Sequence, residues 1–143
     1  MKKDYLIPIT AGAVILLDQL TKIWASKLTS PIPIISNFFQ LRLSTNTGAG
    51  FGIFTGFNSI LIFISLIILG GIFYYYDQIP KKSYLYICYA LIVGGAIGNL
   101  IDRIRLGRVI DFIAISIWPS FNIADAAITI GAIIFAIYLY REN

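Results

Sequence analysis

Four apolar segments of about twenty residues each divide the chain, and they constrain its fold more than any other feature. They cover residues 5–24, 57–76, 84–104 and 121–140. A helix of about twenty apolar residues spans the roughly 30 Å hydrocarbon core of a membrane. Charged residues make up 13% of the chain, about half the share found in a typical soluble domain. The sequence therefore predicts an all-α membrane protein with four transmembrane helices, forming a single domain over residues 1–143.

The region between the first two segments, residues 25–56, breaks the helical pattern. Pro31 and Pro33 disfavour a helix in the first part of this region. In FFQLRLSTNTG, apolar and polar residues then alternate, which is the pattern of a β-strand, and the Asn-Thr-Gly turn at 46–48 follows. We therefore predict a small β element at the membrane surface, between the first and second helices.

The polar residues of the apolar segments gather at one end of the predicted bundle. Four spans place both termini on one side, so the polar end of span one, the polar end of span three, the 105–120 connection and the start of span four share the other side. This set comprises Asp18, Lys22, Asn99, Asp102, Arg103, Asp111, Asn122 and Asp125, and the loop containing Asn46 joins it. Charge at membrane depth is costly, so these residues form the candidate functional site.

Several of these residues have simple structural interpretations. Asp18 and Lys22 are four apart on one helix face, which predicts an ion pair. Asp102 and Arg103 lie on the helix face of Asn99, and we interpret them as a structural network. Asn122 is placed to cap the fourth helix, with Asp125 in its first turn.

Asp111 is harder to explain structurally. It lies in the apolar stretch VIDFIAI, with no basic residue within two positions. Burial there is expected to raise the pKa of its carboxyl group. Beside Asp125, the two carboxyl groups would share one proton, so that one activates water while the other protonates a substrate carbonyl. The spacing of fourteen residues does not by itself predict that the two meet.

The composition excludes several other chemistries. The chain has no histidine, which excludes a Ser-His-Asp triad, a Cys-His pair and an HExxH zinc site. The single cysteine, Cys88, excludes an intrachain disulfide. The basic residues are scattered rather than clustered, so nucleic-acid binding is not predicted.

Five stretches together resemble the bacterial lipoprotein signal peptidase (signal peptidase II) family. They are DQLTK at 18–22, NTGAGFG at 46–52, GGAIGNLIDR at 94–103, GRVIDF at 107–112 and FNIAD at 121–125. Their order and spacing match, and the similarity covers essentially the whole chain. One departure is Gly50, which stands where the family usually has the second alanine of N-x-G-A-A-F. We expect a more flexible loop there rather than lost activity.

The resemblance implies a four-span intramembrane aspartic endopeptidase that needs no metal or cofactor. It would remove the signal peptide of prolipoproteins, cutting just before the diacylglyceryl-modified cysteine. By resemblance, Asp111 and Asp125 are the catalytic pair. The residues with substrate-binding or supporting roles would be Asn46, Gly48, Asn99, Arg103, Asn122, Asp18, Lys22 and Asp102. The implied partners are lipid-modified prolipoprotein signal peptides, membrane lipid and globomycin-type inhibitors.

The resemblance also implies a location in the bacterial cytoplasmic (inner) membrane, with both termini cytoplasmic and the active site extracytoplasmic. A raw count of basic residues does not decide the orientation. If Lys22 and Arg103 are discounted as buried partners of Asp18 and Asp102, the remaining basic residues favour the same orientation, with the termini inside.

Three other functions are consistent with parts of the sequence. A small transporter would also carry acidic groups in the membrane, but it would need polar groups along the whole membrane depth. A structural membrane subunit would use scattered ion pairs and would leave Asp111 unexplained. A Ser–Lys protease is suggested by Lys22 and Ser26, four residues apart.

Overall fold

A computed structural model describes residues 5–48 and 56–142 of the chain. The helices are α1 (Leu6–Ala25), α2 (Asn58–Tyr74), α3 (Ser83–Leu106) and α4 (Ile123–Glu142), with a short 3-10 turn at Tyr76–Gln78. The strands are β1 (Ile32–Ile35), β2 (Phe39–Asn46) and β3 (Val109–Ile115). Most of the NTGAGFG stretch, including Gly50, lies outside the described residues, so the expectation of a more flexible loop stays a prediction.

Three of the described helices are long and apolar enough to cross a membrane. Their mean hydropathies are 1.5 for α1, 1.7 for α3 and 2.0 for α4. Helix α2 is also apolar, but it has only 17 residues where the sequence predicted a span over 57–76. The prediction of four transmembrane helices is therefore not confirmed, although the other three predicted spans match helices to within a few residues.

Helix α3 forms the centre of the helical bundle, between α1 and α4. Within its most apolar stretch 61% of the residues are buried, against 22% for α1 and 17% for α4. Glycines allow this close packing: a Cβ atom on Gly94 would lie 2.9 Å from the carbonyl oxygen of Ala11, and one on Gly131 would lie 2.7 Å from that of Cys88. The exposed apolar side chains of α1 and α4 face outward, as expected for helices in lipid.

The three strands form one antiparallel sheet in the order β1-β2-β3. The predicted strand in FFQLRLSTNTG is confirmed as β2. Its partner β3 comes from the segment between α3 and α4, which was predicted to be a plain connection. Gly107 ends α3 with a φ of +70°, a conformation that glycine adopts without strain, and the chain then enters the sheet. The sheet is therefore not confined to the region between the first two helices.

The sheet is fixed against the end of the bundle. The rings of Trp24, near the end of α1, and Phe112 of β3 meet edge to face, with centroids 6.3 Å apart. The backbone N–H of Ile110 donates to the Asp102 carboxylate at the end of α3, at 3.1 Å. Because β3 follows α3 directly, its first residues lie beside the polar ends of α1, α3 and α4.

Candidate active site

The fold brings the predicted polar residues into one cluster. Asp111 lies on β3 opposite Ser44 of β2, and Asp125 lies in the first turn of α4. The ends of α1, α3 and β2 supply the rest of the cluster, which is Asp18, Lys22, Asn99, Asp102, Arg103, Asn46 and the following Gly48. Sequence spacing did not predict the meeting of Asp111 and Asp125, which depends on the third strand.

Both carboxylates line a cavity of about 220 Å³. The other lining residues are Asn46, Asn99, Arg103, Val109, Trp118, Pro119, Ser120 and Phe121. The segment 118–121 was not predicted as part of the site. It reaches the cavity because Phe121 folds back on β3: its backbone N–H donates to the carbonyl oxygen of Ile113 at 3.0 Å. The Trp-Pro-Ser tripeptide gave no helical or strand pattern from which this could be read.

Asn122 connects the two carboxyl groups. Its side-chain NH2 donates to Oδ1 of Asp111 at 2.7 Å. Its side-chain oxygen accepts from the backbone N–H of Asp125 at 2.9 Å, while Oδ2 of Asp125 accepts from the backbone N–H of Asn122 at 3.2 Å. This reciprocal pair is a capping box at the start of α4, so the predicted cap is confirmed. The same side chain therefore both starts a helix and contacts Asp111.

Asp125 is surrounded by hydrogen-bond donors. Besides the Asn122 backbone, the side-chain NH2 of Asn99 donates to its Oδ1 at 2.7 Å. Its position in the first turn of α4 places it at the positive end of the helix dipole. Two N–H donors and the helix end favour the charged carboxylate form of this side chain.

Asp111 lies on strand β3 and is buried in the sheet. It is 3% exposed, and burial in the sheet together with the nearby charge of Asp125 raises the pKa of its carboxyl group to about 7. Hydrogen bonds from Asn122 and Asn46 and the charge of Lys22 act in the opposite direction and do not cancel the effect. At neutral pH this carboxyl group is therefore able to hold or release a proton.

This pKa has a measurable consequence for stability. Because the pKa of Asp111 is higher in the folded protein than the ordinary 3.8, stability should fall as pH rises from about 4 through about 7. The upper limit of that loss is about 4 kcal/mol. In Asp111→Asn this loss should be absent, so the variant should have a higher melting temperature than wild type in detergent at pH 8, but not at pH 4.

The matched control is Asp77→Asn, which removes an exposed carboxyl group outside the site. Its melting temperature should follow that of wild type at both pH values. If Asp111→Asn shows the same pH dependence as wild type, Asp111 does not carry the raised pKa.

Lys22 is the centre of a buried ion-pair cluster. The side chain is 2% exposed, and its Nζ lies 2.8 Å from Oδ2 of Asp18 and 2.9 Å from Oδ2 of Asp102. The predicted Asp18–Lys22 pair is confirmed. The predicted Asp102–Arg103 network is not seen as an ion pair among the described residues, because Asp102 turns inward to Lys22 and to the backbone of Ile110.

Arg103 instead faces the end of β2. Its guanidinium donates to the carbonyl oxygen of Gly48 at 3.3 Å, and the backbone N–H of Gly48 donates to Oδ1 of Asn46 at 2.9 Å. Arg103 also lines the cavity with Asn46. These contacts join α3 to the turn after β2 and place a cation beside the two carboxyl groups.

Two further polar residues support the cluster and were not predicted as site residues. Nε2 of Gln19 donates to Oδ1 of Asp102 at 3.0 Å and to the carbonyl oxygen of Gly98 at 3.2 Å. Nδ2 of Asn58, in the first turn of α2, donates to the carbonyl oxygen of Arg103 at 3.0 Å. The position of Gln19 beside Asp18 was the available indication in the sequence.

The contacts of Ser26 do not support the Ser–Lys alternative. Ser26 is exposed, and its hydroxyl donates to the backbone carbonyl of Ile23 at 2.8 Å. Lys22 is buried, and its ammonium is held by Asp18, Asp102 and Asn99. A lysine that activates a serine hydroxyl must contact it, and these two side chains are directed to different partners.

The sequence matches known proteins over most of its length. Residues 10–141 match the family model for signal peptidase (SPase) II. The lipoprotein signal peptidase of Caldanaerobacter subterraneus subsp. tengcongensis is 46% identical, covering 85% of this chain and 86% of that protein. The lipoprotein signal peptidase of Clostridium novyi is 43% identical, covering 90% of this chain and 93% of that protein. That of Halothermothrix orenii is 40% identical, covering 91% and 92%.

Solved structures share the fold. One bacterial membrane enzyme superposes with a TM-score of 0.87 at 32% identity, covering 94% of this chain and 87% of that chain. Another gives a TM-score of 0.84 at 32% identity, covering 94% and 92%. With three apolar helices in its own described residues, this chain is a membrane protein.

Proposed function

The chain belongs to the signal peptidase II family, whose members remove signal peptides from prolipoproteins, and we propose that it does so as an intramembrane aspartic endopeptidase. The proposed cut lies just before the diacylglyceryl-modified cysteine of the substrate. The observation that carries the aspartic mechanism is the shared environment of Asp111 and Asp125: both line one cavity, and Asn122 contacts both. Two neighbouring carboxyl groups with different environments form an acid–base pair.

The two carboxyl groups have different proposed roles. Asp125 accepts hydrogen bonds from Asn99 and from the Asn122 backbone, which favours its charged form and suits a general base. Asp111 has a pKa raised to about 7, so it can hold a proton at neutral pH and serve as the general acid. The pair titrates as a unit, and the shared proton lies mainly on Asp111 before the reaction.

Peptide hydrolysis then proceeds in two steps. Asp125 removes a proton from a water molecule whose oxygen attacks the carbonyl carbon before the lipidated cysteine, while Asp111 gives its proton to the carbonyl oxygen. In the resulting tetrahedral diol, the C–N bond breaks as Asp125 passes its proton to the leaving amine. Asp111 takes a proton back from the diol, which leaves a carboxylic acid and restores the starting state.

The other polar residues would hold the substrate and the pair in position. We propose that Asn46, Gly48 and Arg103 contact the substrate backbone at the end of β2, because Arg103 already contacts a carbonyl group there. Asn99 and Asn122 would orient the two carboxyl groups. Asp18, Lys22 and Asp102 would support them from the buried side, and no metal or other cofactor takes part.

We further propose that the single domain crosses the membrane four times, with α2 and the residues flanking it as the second span. Helix α2 has 17 residues, at the short end of what the hydrocarbon core requires. In the proposed orientation both termini are on the cytoplasmic side of the bacterial inner membrane, and the sheet and the pair are on the other side. Membrane lipid and globomycin-type inhibitors are the remaining proposed partners.

The test is cleavage of a purified diacylglyceryl-modified prolipoprotein by the purified protein. Wild type should release the signal peptide with the cut directly before the modified cysteine, and globomycin should block the reaction. The matched substrate has serine in place of that cysteine, so it carries no lipid and should remain uncut. If folded wild type cuts neither substrate, the proposed function is wrong, and a flux assay in liposomes would test the transporter instead.

A further inference from the structure

We propose that Lys22 is a positioning residue for the peptidase reaction and that it acts through the side-chain amide of Asn99. The proposal rests on the function proposed above. It concerns a buried cation that contacts neither carboxyl group of the pair directly among the recorded contacts of the described residues. Its contacts are instead with Asp18, Asp102 and Asn99.

All three hydrogens of the Lys22 ammonium have acceptors. Two go to the carboxylates of Asp18 and Asp102, and the third goes to Oδ1 of Asn99 at 3.0 Å. An ammonium group can donate hydrogen bonds but cannot accept them. The oxygen of the Asn99 amide, and not its NH2 group, must therefore face Lys22.

The orientation of the Asn99 amide decides whether Asp125 accepts a hydrogen bond from it. With its oxygen held by Lys22, and also by the NH2 of Asn122 at 3.1 Å, the Asn99 amide directs its own NH2 to Oδ1 of Asp125 at 2.7 Å. In the opposite orientation, the NH2 of Asn99 would face two donors and its oxygen would face a carboxylate. All three contacts would then be unfavourable.

The amide of Asn122 is oriented by a second pure donor. The backbone N–H of Asp125 donates to its oxygen, so its NH2 is left for Asp111 and Asn99. Asn99 and Asn122 are thus each held in one orientation by a group that can only donate. For Asn99 that group is the buried ammonium of Lys22, and burying a charge lowers stability.

Stability alone does not explain this buried charge. A buried ion pair adds little net stability compared with apolar side chains of similar volume. The cluster is also carefully anchored, since Gln19 bonds Asp102 and the second oxygen of Asp18 accepts from the Ala124 backbone in the first turn of α4 at 3.0 Å. Anchoring of this kind fixes the position of the ammonium group, which is what an orienting role requires.

The charged groups around Asp125 come from three elements. Asp18 and Lys22 lie on α1, Asp102 and Arg103 on α3, and Asp111 on β3. Removal of Lys22 takes away one of these two cations and one of the two donors that hold the oxygen of the Asn99 amide. Both changes disfavour the charged form of Asp125. As the pH is lowered, the variant should therefore lose this general base at a higher pH than wild type does.

The experiment compares the pH–rate profiles of wild type, Lys22→Met and Asp102→Asn on the lipidated substrate. For Lys22→Met we expect kcat to fall about 10- to 100-fold. We also expect the acid limb of the profile to move up by about one pH unit, with KM nearly unchanged. Asp102→Asn damages the same ion-pair cluster but keeps the Lys22–Asn99 bond, so its acid limb should not move up.

Asn99→Ala tests the same proposal without removing any charge. It removes the NH2 donor to Asp125 and should move the acid limb in the same direction as Lys22→Met. Because the ion-pair cluster remains, this variant gives a result even if Lys22→Met does not fold. An unchanged acid limb in folded Asn99→Ala, or in folded Lys22→Met, overturns the proposal and leaves Lys22 with a structural role alone.

The outcomes of these experiments distinguish the proposed function from the proposed role of Lys22. If folded wild type cuts no lipidated substrate, the proposed function is wrong and the role of Lys22 falls with it. If wild type cuts and only the variant profiles disagree with expectation, the peptidase function stands and the positioning role of Lys22 is wrong.

Discussion

Asp111→Asn and Asp125→Asn are each expected to lower kcat for prolipoprotein cleavage by about 10⁴-fold or more. Each change removes the ability to transfer a proton while keeping nearly the same shape. Asn99 and Asn122 can still bond to an amide oxygen in place of the lost carboxylate oxygen, so both variants should fold. The loss should therefore appear in kcat rather than in the amount of folded protein.

Thermal unfolding of the same samples separates a loss of chemistry from a loss of structure. Asp111→Asn should be inactive yet, above pH 7, at least as stable as wild type, because it no longer has to hold a buried charge. The control is Asp77→Asn, an exposed change remote from the site that should keep wild-type kcat. Near-normal cleavage by either folded pair variant would show that the aspartic mechanism is wrong.

Some helices and strands could be predicted from the sequence, and others could not. Three spans were predictable because about twenty apolar residues in a row have few alternatives to a membrane helix. Strand β2 was predictable from its alternating pattern. Strand β3 was not, because VIDFIAI is apolar at nearly every position and shows no alternation, and its neighbours on both sides in the chain are helices. Its isoleucine and valine content was the one indication of a strand.

The contacts within the site also differ in whether they could be predicted from the sequence. The Asp18–Lys22 pair and the Asn122 cap involve residues three or four positions apart, and regular helix geometry fixes such contacts. The Lys22–Asp102 and Lys22–Asn99 contacts join residues about eighty positions apart. No local rule gives such contacts, so the sequence suggested the adjacent Arg103 as the partner of Asp102. Only the packing of α1 on α3 decides between the two cations.

The identification of Asp111 and Asp125 as a pair came from resemblance and not from spacing. Fourteen residues separate them, with a strand, a turn and the start of a helix between. Three features bring them together: the left-handed turn at Gly107, the return of Phe121 along β3, and the cap at Asn122. Each of these features is local, but together they bring Asp111 and Asp125 into one site only in the context of the whole fold.

Asn122→Ser is expected to lower kcat about 10²- to 10³-fold. Asn122 is not one of the two reacting carboxyl groups, but its side chain controls the geometry of the pair. The serine hydroxyl can replace the asparagine oxygen as the acceptor for the Asp125 backbone N–H, so the helix cap is kept. It is too short to replace the NH2 group that donates to Asp111 at 2.7 Å and to Asn99 at 3.1 Å. The change thus separates the two functions of one residue.

Asn122→Ala is the matched comparison, because it removes the cap and the amide together. Its kcat should be as low as that of Asn122→Ser, while its free energy of unfolding should be lower by a further ~1 kcal/mol, the usual contribution of a cap. Activity should therefore be the same in the two variants while their melting temperatures differ. If Asn122→Ser instead keeps nearly full activity and Asn122→Ala does not, the cap at the start of α4 positions Asp125 for the reaction, and the bond from Asn122 to Asp111 has no part in it.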